Sequence, residues 1–388
     1  MGAKEVFIDK DLEALREVVS DFMRKEVRPV EDPLPHDANL PGAADLERLQ
    51  RTARAAGLWC IASPEKYGGA GMSVLQQVIV VEEASKCRMG AYNPALGAFG
   101  WDPPNAIFGG TEDQIQKYAV PTIERGEKTF MHLTEPSGGS DPARAIKTTA
   151  TRTSAGWLIN GNKIFVSATN ESRWGITFAR TSPGRKGISC FIIERDVPGL
   201  SVTPIPVIRS WYPYEVRYEN VEVPHDALLG EEGLGFQLSQ RYLAHFRIPY
   251  AAGCIGVAEA AMEIAVAWAK EREAFNSRLA DKQAIQWMLA DSEIELRAAR
   301  LLVYDAAAKA DQGKPFKVEA SIAKVYATEA AGRIVDRCIQ ILGGMGVTQE
   351  LPLERWYREL RIKRIGEGPS EVHRMVTARH VLNDKYQG

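Results

Sequence analysis

Four stretches of the chain carry side chains or exposed backbone that could take part in chemistry. They are Leu133-Thr134-Glu135-Pro136-Ser137-Gly138-Gly139-Ser140-Asp141, Asn160-Gly161-Asn162-Lys163-Ile164-Phe165-Val166-Ser167, Gln340-Ile341-Leu342-Gly343-Gly344-Met345-Gly346 and Ile365-Gly366-Glu367-Gly368-Pro369-Ser370-Glu371. In the last, Glu367 stands between two glycines. A desolvated carboxylate with its pKa raised toward neutrality can remove a proton from a weak carbon acid, and the flanking glycines leave room for a substrate to approach the backbone. Taken singly, each stretch reads more readily as a turn or a helix cap, and Glu367 as a surface carboxylate. Their occurrence together is what calls for a chemical explanation. There is no GxGxxG after a strand, no GxxxxGK[ST], no HExxH and no GxSxG, so a Rossmann unit and a P-loop are unsupported. The histidines at 36, 132, 225, 245, 373 and 380 show no ligand spacing, and no metal is expected.

The elements that must position these stretches fall into three zones. Residues 1–130 read as helical, with apolar residues at helical spacing in Leu12-Leu15-Val18-Val19-Phe22-Met23 and Leu46-Leu49-Ala53-Ala56 and a stop at Gly57. Residues 131–235 read as strands: 149–153, 157–159, 163–166, 175–179, 188–193, 214–219 and 221–223, with Asn160-Gly161 as a hairpin signal. Residues 236–388 are helical again, with spans expected at 236–274, 281–311, 315–342 and 370–384, a four-helix arrangement. The expected fold is α+β and multidomain: an N-terminal helical domain, a middle β-barrel and a C-terminal four-helix bundle.

The chain is long enough, at 388 residues, for two or three domains. Apolar residues make up 45% and charged residues 25%, which excludes a disordered chain. A formal net charge of −2 gives no global field to attract nucleic acid or an anionic membrane. The five cysteines, at 60, 87, 190, 254 and 338, are widely spaced without a CxxC, which argues for a reducing compartment. The first fifteen residues lack an apolar core, so a cytoplasmic location is expected. The apolar run Ala251–Ala269 is interrupted by Glu259 and Glu263, which argues for a packed helix rather than a membrane span.

Together, the four stretches resemble the acyl-CoA dehydrogenase family over residues 10–384. Tyr67-Gly68-Gly69-Ala70-Gly71, the TEPSGGSD stretch, Arg272 with Phe275, Gln283, the QILGGMG stretch and the EGPSE loop occur in the family's order and at similar separations. The resemblance implies an FAD enzyme that desaturates an acyl-CoA thioester to a trans-2-enoyl-CoA and passes electrons to an electron-transfer flavoprotein, working as a homotetramer. It makes Glu367 the base. Met131, Leu133, Thr134, Ser140, Phe165 and Ser167 would meet the cofactor, with Phe165 stacking by the isoalloxazine. From a neighbouring subunit, Arg272 would meet the pyrophosphate, Phe275 and Gln283 the adenosine end, and Gln340 and Gly344 the cofactor chain. Pro369 and Glu371 would also border the cofactor. Ser140, Arg247, Gly366 and Trp101 would border the substrate. The segment 88–104 would line the far end of the acyl pocket, with Phe99 and Trp101 as bulk and Arg88 and Asp102 as solvated charges.

Two residues depart from the common family pattern. Gly366 stands where many members have Tyr, and Pro369 stands where many have Thr. Ala244, His245 and Phe246, near Arg247, hold no carboxylate, which leaves Glu367 as the only base. Relatives that perform an elimination, such as desulfination of an acyl-CoA, or an oxidase reaction offer the alternative reading.

Overall fold

The helical periodicity before residue 100 and after 235 produces helices, while the alternating middle region produces a single sheet. The computed structural model describes residues 8–184, 186–209 and 211–385; the expectation about the N-terminal segment rests partly on residues 1–7, outside that range. By packing, the chain forms two units. One comprises Met1–Ala56, Met72–Ala98 and Ala244–Gly388, and the other Gly57–Gly71 and Phe99–Leu243.

In the helical unit, α1 (Lys10–Phe22) is N-capped by Asp9, whose carboxylate accepts from the Leu12 amide at 2.9 Å. Next come α2 (Ala43–Ala55) and α3 (Val74–Ala84), the latter opened by a Ser73–Gln76 capping box. The long helices are α4 (Gly235–Glu271), α5 (Gln283–Asp311) and α6 (Lys317–Leu342). Ile255, Ala258 and Ala261 of α4 pack in one cluster with Leu296 and Val303 of α5 and Ala323, Ala327 and Ile334 of α6. Helix α4 is long and apolar enough to cross a membrane, but 67% of its most apolar window is buried inside the protein. The two acidic residues within its apolar run explain how. Glu259 is paired with Lys86 at 2.7 Å and Arg300 at 3.1 Å, and Glu263 points to the surface.

The C-terminal region contains a helix beyond the four expected spans: α7 (Leu353–Lys363), followed by α8 (Ser370–His380). Six of the eleven α7 residues are charged, which hid its apolar stripe. Its buried face is itself partly ionic, with Arg355, Glu359 and Lys363 beside Leu353, Trp356 and Leu360. Those charges are satisfied by partners far along the chain; the Lys363 ammonium donates to the Ala91 carbonyl at 2.8 Å.

In the sheet unit, eight strands join: β1 (Phe130–His132), β2 (Thr149–Arg152), β3 (Gly156–Val166), β4 (Trp174–Arg180), β5 (Ile188–Glu194), β6 (Leu200–Pro204), β7 (Tyr214–Pro224) and β8 (Leu228–Leu229). The order is β6-β7-β3-β2-β4-β5-β8, with β1 pairing parallel to β4. Strands β4 and β5 are buried on both faces, so they read as continuous apolar runs. Asn160-Gly161 is not a hairpin. Strand β3 runs straight through it, with a shift of register against β7 between Ile159 and Gly161. Gly161 has φ +149°, and a Cβ there would lie 2.4 Å from the Thr148 hydroxyl. The glycine is required by close approach rather than by a turn. The β2–β3 turn lies at 153–156, closed by the Thr153 amide on the Gly156 carbonyl.

Candidate active site

Glu367 sits on the loop between α7 and α8, in the helical unit, with φ +56°. A non-glycine residue in the left-handed region is held there by its surroundings, and three side chains do the holding. Arg247 Nε of α4 donates to the Glu367 carbonyl at 2.9 Å, and His373 Nε2 of α8 reaches the same oxygen at 3.1 Å. Because a carbonyl only accepts, Nε2 carries the His373 proton. Lys324 of α6, fully buried, donates to the next carbonyl, Gly368 O, at 2.7 Å and to Arg364 O at 3.3 Å. The loop carbonyls are thus tied inward, and Glu367 Oε2 is buried without a hydrogen-bond partner among the described residues.

The electrostatics follow from that packing. Burial pushes the Glu367 carboxyl up from its ordinary value, with Arg247, Lys363 and Lys324 pulling the other way. Burial, reinforced by Arg247 and Lys324, pushes His373 down to about 4, so it is neutral at pH 7. Burial pushes Lys324 down to about 8. The site is an unpartnered carboxylate of raised pKa on a braced loop, the physical profile of a general base. Gly366 is tightly enclosed: a Cβ there would lie 2.5 Å from the Tyr250 hydroxyl. The room expected beside Gly366 is taken by Tyr250 of the same unit.

The second group of sequence-singled residues lies in the sheet unit. Met131 is on β1, opposite Ile176 of β4, and Leu133 and Thr134 follow it directly. The Ile164 amide donates to the Thr134 carbonyl at 2.9 Å, which sets Thr134 beside Phe165. Phe165, at φ +56°, leaves its ring 60% exposed, and Ser140 and Ser167 are exposed too. Underneath runs a buried ion pair. Lys163 Nζ donates to Glu135 at 2.8 Å and to Phe178 O at 2.6 Å, while Glu135 accepts from the Lys147 amide at 2.6 Å. Glu135 and Lys163 belong to the two motifs, yet they face the interior.

A third group lies on the surface of the helical unit. Phe275 and Asn276, at φ +53° and +61°, form the two-residue turn of a small ribbon, Glu273–Ala274 against Ser277–Arg278. The turn leaves Phe275 93% exposed, with Arg272 exposed at the base of the ribbon. Gln283 is exposed at the first position of α5, Gln340 is exposed near the end of α6, and nothing lies within 4 Å of a Cβ built on Gly344. Pro369 precedes α8 and Glu371 is exposed in its first turn. Exposed aromatic side chains, an exposed guanidinium lying over the Trp268 ring and open glycine backbone are the chemistry that a flavin ring and a diphosphate require. These residues therefore fit FAD.

At the expected pocket end, Trp101 is partly buried in the sheet unit. Asp102 is not a solvated charge: it accepts from the Ser63 hydroxyl at 2.6 Å and the Ala62 amide at 3.2 Å, and burial raises its pKa. Arg88, in the other unit, donates to the Leu34 carbonyl at 3.3 Å. Sequence reasoning missed Lys324, Tyr250, the Glu135–Lys163 pair and the role of His373. One signal was available: Lys324 interrupts the small apolar stripe Ala320-Ala323-Ala327-Ala331, and a lysine on a buried face needs a partner. The carboxylates Glu82, Glu83 and Glu259 come within reach of one another, but Arg300, Lys86 and Arg16 pair with them.

Comparison with known proteins identifies the family of the chain. Family models for the N-terminal, middle and C-terminal domains of acyl-CoA dehydrogenase match residues 9–127, 130–221 and 233–382. The chain is 38% identical to the 3-(aryl)acrylate reductase of Clostridium sporogenes, covering 97% of this chain and 100% of that one. It is 37% identical to the mitochondrial short-chain specific acyl-CoA dehydrogenase of Bos taurus, over 95% and 89% of the two chains. The butyryl-CoA dehydrogenase structure from Megasphaera elsdenii superimposes with a TM-score of 0.86 at 34% identity, over 97% and 99%. Three domain models that together span most of the chain, and relatives aligned almost end to end, place the chain in the acyl-CoA dehydrogenase family of FAD-dependent oxidoreductases.

Proposed function

We propose that Glu367 is the base in the α,β-dehydrogenation of an acyl-CoA thioester. The observation that carries this reading is the buried, unpartnered Glu367 Oε2 on a loop braced by Arg247, His373 and Lys324. Glu367 takes the proton from Cα. Bound FAD supplies the acceptor for the hydride that leaves Cβ. Arg247 and His373 hold the Glu367 backbone so that the carboxylate keeps its aim, and Lys324 fixes the following peptide. Thr134 and Phe165 hold the flavin in one subunit; Arg272, Phe275, Gln283, Gln340 and Gly344 of a neighbouring subunit hold the diphosphate and adenosine end. On this reading the protein is a homotetramer whose reduced cofactor is reoxidised by an electron-transfer flavoprotein, and it works in the cytoplasm.

The decisive experiment is Glu367→Gln. The amide keeps the shape but cannot accept the proton, so anaerobic flavin bleaching by the best acyl-CoA should fall by about 10²–10⁴-fold, with flavin still bound. Bleaching above about a tenth of the wild-type rate would assign the base elsewhere. The similarity to a protein named as a reductase of 3-(aryl)acrylate favours one second reading, the same residues run in reverse. Glu367, protonated through its raised pKa, would then donate to Cα. Rates of enoyl-CoA reduction by the chemically reduced enzyme, set against acyl-CoA oxidation, separate the two directions.

A further inference from the structure

One helix meets two consecutive residues of the loop that carries Glu367. Arg247 and Tyr250 lie three positions apart on α4 and so share a face; both, like the loop, belong to the helical unit. Arg247 holds the Glu367 carbonyl. Tyr250 meets Gly366, one residue before it. A Cβ built on Gly366 would lie 2.5 Å from the Tyr250 hydroxyl oxygen and 3.5 Å from the ring carbon that bears it, and the next atom, the Ile362 carbonyl oxygen, is 3.9 Å away. Backbone conformation does not call for this glycine. Glu367 and Gly368 stand in the left-handed region at φ +56° and +96°, whereas Gly366 does not, so its φ is open to other residues. What excludes a side chain at 366 is a single atom, the Tyr250 hydroxyl oxygen.

Neither side of that contact yields easily. A tyrosine turns about only two torsions, and the Lys363 ammonium lies 4.1 Å from the centre of the Tyr250 ring. That ammonium is itself fixed on the Ala91 carbonyl at 2.8 Å. On the loop side, the Gly366 amide donates to the Ile362 carbonyl at 3.0 Å, and the Glu367 carbonyl accepts from Arg247 and His373. We propose that Tyr250 is a positioning residue for the base: its hydroxyl fills the place of a side chain at 366 and sets the loop so that Glu367 keeps the aim that proton removal requires. The inference rests on the reading of Glu367 as the base. Ordinary contact begins at 3.4 Å, so a methyl carbon at 366 would have to retreat by about 1 Å, and a displacement of that size near a reacting group can cost about 10²-fold in rate.

The test uses the flavin-loaded full chain as wild type, Gly366→Ala, Tyr250→Phe and the double variant. Each is mixed anaerobically with the acyl-CoA that bleaches the wild type fastest in a panel of straight, branched and aryl-bearing thioesters. Rates are taken at saturation and per bound flavin, and thermal midpoints are measured beside them. Gly366→Ala should bleach about a hundredfold more slowly than wild type, and Tyr250→Phe, which leaves a gap where the hydroxyl stood, about tenfold more slowly. In the double variant the colliding oxygen is gone and the ring carbon at 3.5 Å makes an ordinary contact with the new methyl group. Its rate should climb back to that of Tyr250→Phe alone. The cycle isolates the contact between the two positions; a general loss of stability would accumulate in the double variant instead of cancelling. A double variant no faster than Gly366→Ala, or a Gly366→Ala variant that bleaches like wild type, would overturn the proposal. If Gly366→Ala retains no flavin, Tyr250→Phe decides by itself, and a rate there within about twofold of wild type would also overturn it. Glu367→Gln, run alongside, keeps the two claims apart. Undiminished bleaching in that variant removes the base, whereas loss there with an unrescued double variant removes only the role of Tyr250.

Discussion

Glu367 combines a left-handed backbone, a buried carboxylate oxygen without a partner and a ring of cations set against the effect of burial. Each feature costs folding free energy, and each serves a base. Because the base must be ionised, flavin reduction should fall as pH drops through a value above the ordinary carboxylate pKa of 4.5. Lys324 is one of the groups that lower the Glu367 pKa. Lys324→Met should therefore move the acid limb of single-turnover flavin reduction to higher pH; an unmoved limb, or one moved down, would remove Lys324 from the electrostatics of the site. Stability should run the opposite way to activity. A carboxyl with a raised folded-state pKa binds more protons folded than unfolded, so its contribution is present at low pH and is lost as pH rises through the folded value. Glu367→Gln should thus gain stability relative to wild type at pH 8 but not at pH 4, as read from thermal midpoints.

Strand β3 and the chain after β1 are joined by the Glu135–Lys163 pair, with both side chains almost fully buried. Burial raises Glu135, but Lys163, the Thr148 contact and the Lys147 amide outweigh it and hold the carboxyl below its usual range. Burial meanwhile pushes Lys163 down to about 8 against the pull of Glu135. Removing one partner leaves a buried charge alone, so Lys163→Met should cost about 3–5 kcal/mol. The double variant Lys163→Met with Glu135→Gln should cost less than Lys163→Met by itself. Urea midpoints for the four proteins make the cycle, and a double variant worse than the sum of the singles would show that the pair is not the relevant unit. The element-level consequence is positional. Thr134 and Phe165 sit on the two chain segments that this pair clamps, so flavin retention should track the stability loss.

On the scale of the whole molecule, the helical unit leaves large apolar side chains uncovered: Phe275 at 93%, Ile294 at 64%, Trp287 at 62% and Val347 at 65% exposure. Arg272, Gln283, Gln340 and Gly344 lie on the same unit's surface. A second and further copies of the chain, each sharing a cofactor with a neighbour, would cover these groups. The purified protein should behave as a flavin-loaded tetramer in light scattering, and a flavin-loaded monomer would exclude the shared site. Arg272→Ala removes a contact to phosphate worth about 1.5–3 kcal/mol, so it should weaken FAD binding by roughly ten- to a hundredfold. The variant should purify partly apo and regain activity with added FAD.

Helix α1, helix α3 and the double-buried strands β4 and β5 were legible from the chain because their signals are local: apolar spacing and an uninterrupted apolar run. The order of the TEPSGGSD, QILGGMG and EGPSE stretches carried the family in the same way. Helix α7 was hidden because Arg355, Glu359 and Lys363 face inward, and only distant partners such as Ala91 O make that tolerable. Asn160-Gly161 gave a local turn signal that strand pairing overrode, since Thr148 must lie against Gly161. The amino-acid order could nominate Glu367, but its pKa depends on burial, on Arg247 from 120 residues earlier, on Lys363 and on Lys324, the three cations each brought in by a different helix. Burial and long-range charge decide whether a carboxylate is a surface group or a base, and neither is a property of the residues next to it in the chain.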